Sequence, residues 1–303
     1  MQQYRQRVSP GYPAPKLKPH RKTKLVITLL SVVAVAAVMS WATETLLPPL
    51  QSKAHGAALA GVVPARKPTP VNRTLLATQI NKAINNSSLE IGVSIIDATS
   101  DTHYNYGLGS TDYIAASTTK LLSAALFLRD VEQGQYKLGD PLGDSSAQDE
   151  LQKMIIDSDN DAWTDFNDLL GHPALLQYAH GLGMNTYNPD TNTIASDDLA
   201  LLLDRLYQGK LLNGQDTKLL LSYMKQADYT QYILAAIPNG VQVYHKAGYL
   251  DDRAMDAAII DNGKHPYVLV IFTKDPSGNG YDQAAGQQAF HDITTATLTA
   301  FAR

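Results

Sequence analysis

Residues 111–128, TDYIAASTTKLLSAALFL, hold the junction on which the reading of the chain turns. TDYIAA reads as an extended run, and KLLSAALFL reads as a helix that is apolar on every face, so it belongs in a core. Ser117 falls where one pattern gives way to the other. At a helix start its N–H and hydroxyl sit at the positive end of the helix dipole, and Lys120, three residues on, shares its face. A second Ser-x-x-Lys occurs at Ser222 and Lys225, inside a helical run. The pair alone therefore identifies nothing, and its place at a helix start is what separates Ser117 from Ser222.

Outward from this junction the periodicity sorts into three blocks. A helical pattern with Leu75, Leu76, Ile80, Ala83 and Ile84 on one face precedes two strand-like runs, 90–97 and 103–106, joined by a turn at 99–101. From 121 to 225 nearly everything has helical spacing: 121–130, 151–157, 161–170, 174–180, 197–207 and 217–225. Strand signals return at 241–250, 255–260 and 267–274, with turns at 251–252 and 262–263, and a helix over 283–301 closes the chain. Strands, then helices, then strands predict an α/β domain over 71–303. One antiparallel sheet is built from both ends of the domain, helices flank it, and an all-helical lobe is inserted in the middle. Clefts between two such lobes are favoured places for active sites.

Two further short motifs follow Ser117. Ser158-Asp159-Asn160 stands once, between two helical runs, where serine and asparagine also suit a helix cap. Lys246-Ala247-Gly248 lies on a strong strand pattern, although Lys137-Leu138-Gly139 shows how common such a triplet is. Order and spacing give these motifs their weight. Other chemistries lack residues: the chain has no cysteine, no Gly-x-Ser-x-Gly, no His-Glu-x-x-His and only four glutamates (Glu44, Glu90, Glu132, Glu150). Thiol catalysis, metal hydrolysis and a glycosidase glutamate pair therefore have no support, and neither a metal nor another cofactor is expected.

A helix-start Ser-x-x-Lys, a Ser-Asp-Asn some forty residues on and a Lys-x-Gly on a late strand form a known combination. From about residue 90 to 300 the chain resembles the class A β-lactamase-like serine hydrolases, of the β-lactamase and penicillin-binding protein superfamily. YIAASTTKLLSAALFL, LQKMIIDSDNDAW, NTIASDDLALLLDRLYQGKLL and VYHKAGYLDDRAMDAAII match that family's segments in its order. The resemblance implies a five-stranded antiparallel sheet with a helical lobe. It also implies that Ser117 is the nucleophile, Lys120 its base and Ser158 a proton shuttle to the leaving nitrogen. Asn160 would bind the substrate amide, Lys246 and Gly248 would line the substrate strand, and the N–H groups of Ser117 and Tyr249 would form an oxyanion hole. Elementary chemistry supports the base: desolvation and a second cation such as Lys246 both lower a lysine pKa from its ordinary value near 10.4.

The sequence departs from the family in two places. Ala247 stands where the family's Lys-x-Gly triplet carries Thr or Ser, so carboxylate recognition is weakened or moved, with Arg253 the candidate. Residues 161–303 contain no glutamate, whereas family β-lactamases use one to activate the deacylating water. Asp190, in YNPDTNT, is the nearest acid and the possible deacylation acid, though Asn-Pro-Asp is also an ordinary turn. Three activities follow. The chain is a serine hydrolase acylated by a β-lactam or a D-alanyl peptide of the peptidoglycan stem. Alternatively it is a D-Ala-D-Ala carboxypeptidase or transpeptidase that β-lactams inhibit, or an envelope binding module without catalysis.

The chain of 303 residues has a net charge of −4, but residues 1–24 carry seven cations and no acid, leaving −11 on the remainder. The basic arm adjoins an uncharged stretch, LVITLLSVVAVAAVMSWA over 25–42, that with 43–47 approaches a bilayer span. An uncleaved signal anchor over 25–47 is expected, with residues 1–24 cytoplasmic and the hydrolase domain extracytoplasmic, held in the cell membrane. Residues 48–70 read as a Pro- and Ala-rich tether, since nine of the fifteen prolines precede residue 71. The acidic remainder offers no basic, aromatic-laced patch, so nucleic acid is not an expected partner.

Overall fold

The computed structural model describes residues 71–302; the expected basic arm, membrane anchor and tether lie outside the described residues. Among the described residues no helix is long and apolar enough to cross a membrane.

The sheet is five-stranded and antiparallel. Its strands are β1 (Glu90–Asp97), β2 (Thr102–Gly107), β7 (Gln242–Leu250), β8 (Arg253–Asp261) and β9 (Tyr267–Lys274), in the order β2-β1-β9-β8-β7. Both ends of the domain thus contribute to one sheet, as the pattern of strands, helices and strands predicts. The central strands are buried on both faces, and their alternate residues divide two cores. Met255, Ala257, Ile259, Val268, Val270 and Phe272 face the helical lobe. Ala254, Ala258, Ile260, Leu269 and Ile271 face α1 (Arg73–Asn85) and α8 (Gln283–Phe301), which pack together. β2, at one edge, alternates half-buried and exposed residues, the signature of a strand with one wet face.

The lobe is built around α2 (Lys120–Glu132), ten of whose thirteen residues are buried, which explains the all-round apolar pattern. Around it pack α3 (Ala147–Ile156), α4 (Asn160–Leu170), α5 (His172–Gly181) and α7 (Gly214–Met224), while α6 (Ser196–Tyr207) returns against the sheet.

Two short ladders were invisible in the sequence pattern. β4 (Pro141–Leu142) pairs with β5 (Ser145–Ser146), and β3 (Asp112–Ile114) pairs with β6 (Thr193–Ala195). Segments of two or three residues carry no periodicity to read. The second ladder matters for function because β3 leads directly into Ser117. Tyr113, in the middle of β3, fixes it to the sheet through an edge-on contact with Phe272, with centroids 6.1 Å apart.

Candidate active site

The backbone entering the site is bent before any side chain acts. Ala116 lies at φ +48°, in the left-handed region that an alanine occupies only at a cost of about 1–3 kcal/mol. Residues Ala116–Thr119 then form a 3₁₀ turn, so α2 begins at Lys120 and Ser117 precedes it rather than occupying its first turn. The turn is held from outside by Asn192, which the sequence analysis did not single out. Its carbonyl accepts from Ala115 N at 2.8 Å, its Nδ2 donates to Ala116 O at 3.0 Å and its Oδ1 accepts from Thr119 Oγ1 at 2.6 Å. Asn192 itself lies at φ +51°, a conformation asparagine tolerates better than most residues. That tolerance was the one signal in the sequence that pointed to it.

Lys120 is fully buried, and its Nζ is surrounded by oxygen. Ser117 Oγ lies 3.1 Å away, Ser158 O 2.5 Å, Ser158 Oγ 3.4 Å and Asn160 Oδ1 2.7 Å. A carbonyl and an amide oxygen accept two N–H bonds. The remaining position faces Ser117 Oγ, where an amine presents its lone pair to the serine proton. This geometry depends on the Ser158 loop. Ser158 lies at φ +61°, which turns its carbonyl toward Lys120, and Asp159, rather than Ser158 or Asn160, caps α4 by accepting from Ala162 N at 2.8 Å. The cap leaves Asn160 Oδ1 free for the lysine. One helical turn on, the Trp163 ring centroid stands 5.6 Å from Lys120 Nζ, and its Nε1 donates to Ser123 Oγ at 3.2 Å.

Burial, reinforced by the positive charge of Lys246, lowers the Lys120 pKa from 10.5 to about 7, with Asp159 opposing. Lys246 on β7 is also fully buried, and its Nζ has no hydrogen-bond partner among the described residues. Burial lowers its pKa to about 8, against the opposing fields of Asp256, Asp228 and Asp157. The pair thus has a range near neutrality in which one member is an amine and the other an ammonium.

Gly248 explains why β7 approaches so closely. A Cβ there would stand 2.8 Å from Ser117 N, 3.0 Å from Ala116 Cβ and 3.1 Å from Ala115 O, so only glycine admits this contact. Tyr249 follows at the strand end with its ring exposed, edge-on to Tyr281 at 6.2 Å. Ser117, Lys120, Ser158, Asn160, Lys246 and Gly248 are therefore brought to one seam between sheet and lobe.

Two candidates are engaged elsewhere. The Arg253 guanidinium forks onto Asp252, Nε to Oδ1 and Nη2 to Oδ2 both at 2.6 Å, so its charge is already matched by its neighbour. Asp190 is 79% exposed and its Oδ1 accepts from His172 Nδ1 at 2.7 Å, with no hydrogen bond to Ser117, Lys120, Ser158 or Asn160. The Asn-Pro-Asp turn reading fits its backbone, since Asp190 N donates to Asn188 Oδ1 at 2.9 Å.

A model of the β-lactamase enzyme family matches residues 75–301. The chain belongs to that family. It is a serine hydrolase with the fold of the class A β-lactamases. Among solved structures, PBP-A shares 24% identity with this hydrolase at a TM-score of 0.69, covering 78% of this chain and 98% of the other. A leucine-to-glutamate variant of PBP-A, an acyl-enzyme complex with penicillin G, aligns at 23% identity and TM-score 0.69, over 78% of this chain and 98% of that one. An ancestral class A β-lactamase aligns at 20% identity and TM-score 0.69, over 75% of this chain and all of its own. At these identities the likeness carries the fold. No curated protein matches the hydrolase.

Proposed function

We propose that the hydrolase is membrane-anchored and extracytoplasmic, and that it forms an acyl-enzyme on Ser117 with β-lactams or with D-alanyl peptide amides. The observation that carries this reading is the buried Lys120 amine at 3.1 Å from Ser117 Oγ, with a pKa lowered to about 7. Ser117 Oγ attacks the carbonyl carbon and its proton passes to Lys120. The oxyanion so formed receives the N–H groups of Ser117 and Tyr249, an arrangement commonly worth about 3 kcal/mol. As the C–N bond breaks, the proton moves from Lys120 through Ser158 Oγ, 3.4 Å away, to the departing nitrogen. Asn160 binds the substrate amide and Lys246 faces the substrate carboxylate, without a hydroxyl at Ala247 and with Arg253 held by Asp252. The anchor rests on sequence alone: seven cations before an uncharged stretch over 25–42.

A second reading, a D-Ala-D-Ala carboxypeptidase or transpeptidase that β-lactams inhibit, is favoured by a specific observation. Residues 161–303 hold no glutamate, Asp190 is paired with His172, and among the described residues no carboxylate is hydrogen-bonded to Ser117 or Lys120. The test of both is intact mass spectrometry over time after adding penicillin, with Ser117→Ala alongside. An adduct on the wild type alone supports acyl-enzyme chemistry. A persistent adduct favours the second reading, a short-lived one favours hydrolysis, and no adduct refutes both for this substrate.

A further inference from the structure

Behind the strand that carries Lys246 lies a charged pair for which the chemistry above has no use. Side chains alternate along β7, so Lys246 points to the lobe while His245 points to the α8 side of the sheet. There His245 Nδ1 lies 3.1 Å from Asp256 Oδ1, and Asp256 Oδ2 accepts from Ile233 N at 3.1 Å. The two side chains are 2% and 0% exposed. Their neighbours on this face of the sheet are apolar: Val243 and Ala247 flank His245 along β7, and Ala254 and Ala258 flank Asp256 along β8. Burying a carboxylate and an imidazole there is costly, and replacing both with apolar groups would be cheaper for stability alone.

The register shows what the pair is near. Ala247 is the partner of Asp256 across the β7–β8 ladder, and Lys246 is the next residue along. The charged groups near Lys246 are Lys120 on α2, Asp157 after α3 and Asp228 after α7, together with Asp256 on β8, whose field reaches it from the opposite face of the sheet. Asp157 and Asp228 are exposed and screened by water, and Asp256 is the buried one. Among the described residues Lys246 Nζ has no hydrogen-bond partner, so what opposes the loss of its proton is the field of these acids rather than a direct contact.

We propose that Asp256, fixed by His245 and the Ile233 amide, is a positioning residue that supplies the buried counter-charge of the Lys246 ammonium. The inference rests on the reading of Lys246 as the active-site cation. His245 sets how much of that charge Lys246 feels. Although burial alone would push the imidazole pKa down, Asp256 raises it, and Lys246 pulls against that rise. When His245 gains a proton it neutralises Asp256 from behind the sheet, and when it loses the proton the full carboxylate field reaches Lys246. Tyr232 is a further titratable group near Asp256.

The test uses the full-length chain with ε-¹³C lysine, following the Lys246 resonance against pH and assigning it by its loss in Lys246→Arg. In Asp256→Asn, which keeps the shape and a hydrogen-bond acceptor, the Lys246 midpoint should fall by about one pH unit or more. The alkaline limb of penicillin acylation should move down with it. A folded Asp256→Asn protein whose Lys246 midpoint is unchanged overturns the proposal. The resonance reports whether or not penicillin acylates Ser117, so failure of the acylation chemistry is seen separately. Should Asp256→Asn not fold, the reciprocal measurement decides. In Lys246→Met the His245 midpoint must rise, because the cation competing for Asp256 is gone, and an unmoved midpoint overturns the proposal.

Discussion

The sharpest consequence of the site is a narrow pH window for acylation. At pH 7 a lysine with a pKa of about 7 is half amine, whereas one at the ordinary 10.5 is amine about once in 3,000 molecules, so the surroundings of Lys120 raise the working base about 1,500-fold. Below pH 6.5 the amine fraction, and with it the acylation rate, should fall about tenfold per pH unit. Above about pH 8 Lys246 loses its proton, and under the proposed role of Lys246 substrate binding should then weaken, which closes the window from the other side. The two limbs belong to the coupled pair rather than to either lysine alone. The assay is quenched-flow acylation by penicillin, read by intact mass from pH 5 to 10. Lys246→Gln should shift the acid limb upward, because one cause of the depressed Lys120 pKa is removed while burial, the larger cause, remains. Lys120→Arg should abolish acylation, since a guanidinium stays protonated. A rate that is flat from pH 5 to 9, or that climbs steadily to pH 10, would refute Lys120 as the base.

Further expectations follow from individual contacts. Gly248→Ala places a Cβ at 2.8 Å from Ser117 N, so β7 or the serine turn must shift, and acylation should fall about 100-fold in stopped-flow assays while the fold persists. Asn192→Ala removes the bonds to Ala116 O and Thr119 Oγ1 and leaves an alanine at φ +51°. Chemical denaturation should show a loss of about 2 kcal/mol or more, and Asn192→Gly, which relieves only the backbone, should recover part of it. Lys120→Met isolates the cost of the buried ammonium. Because the folded-state pKa lies below the unfolded one, the unfolded chain binds more protons between pH about 7 and 10.5, so wild-type stability falls as pH falls through that window. The variant lacks this term. Its stability relative to wild type should therefore drop by about 1.4 kcal/mol per pH unit as pH rises from 7 to 10, measured by urea melts, and a constant difference would contradict the burial of charge.

What the sequence reveals about this site depends on how local each interaction is. Ser117 and Lys120 are three residues apart, and Ser158 and Asn160 are adjacent to a helix start, so spacing and capping rules reach them directly. The five sheet strands and eight α-helices are legible for the same reason, since each carries its own period. Ala116 and Ser158 hide their left-handed backbones, because neither residue type favours that region and tertiary contacts impose it. Asn192 is joined to its partners across 73 and 76 residues, through a three-residue ladder with no pattern of its own. His245 and Asp256 each look like one more polar residue in a strand until the pleat places both on the same side of the sheet. Asp190 shows the opposite effect: it lies in the expected segment, yet its side chain is engaged by His172.

The absence of a carboxylate beside Ser117 has a kinetic consequence that the lysine geometry makes testable. After the leaving nitrogen takes the proton through Ser158, Lys120 is again an amine, 3.1 Å from the atom that now carries the acyl group. Among the described residues no carboxylate is hydrogen-bonded to Ser117 or Lys120, so in the proposed mechanism the base that makes the acyl-enzyme is also the base positioned to activate the water that breaks it. Acylation and release should then share one acid limb near pH 7, and adduct lifetime should lengthen steadily as pH falls below it. A separate carboxylate base would carry release down to a limb near pH 4 while acylation kept its own. Asp190→Asn sharpens the comparison, since a residue engaged with His172 in solvent should leave release unchanged. Slower release in that variant, with acylation intact, would mean that the 188–193 segment moves to bring Asp190 to the acyl group, and that Lys120 does not act alone.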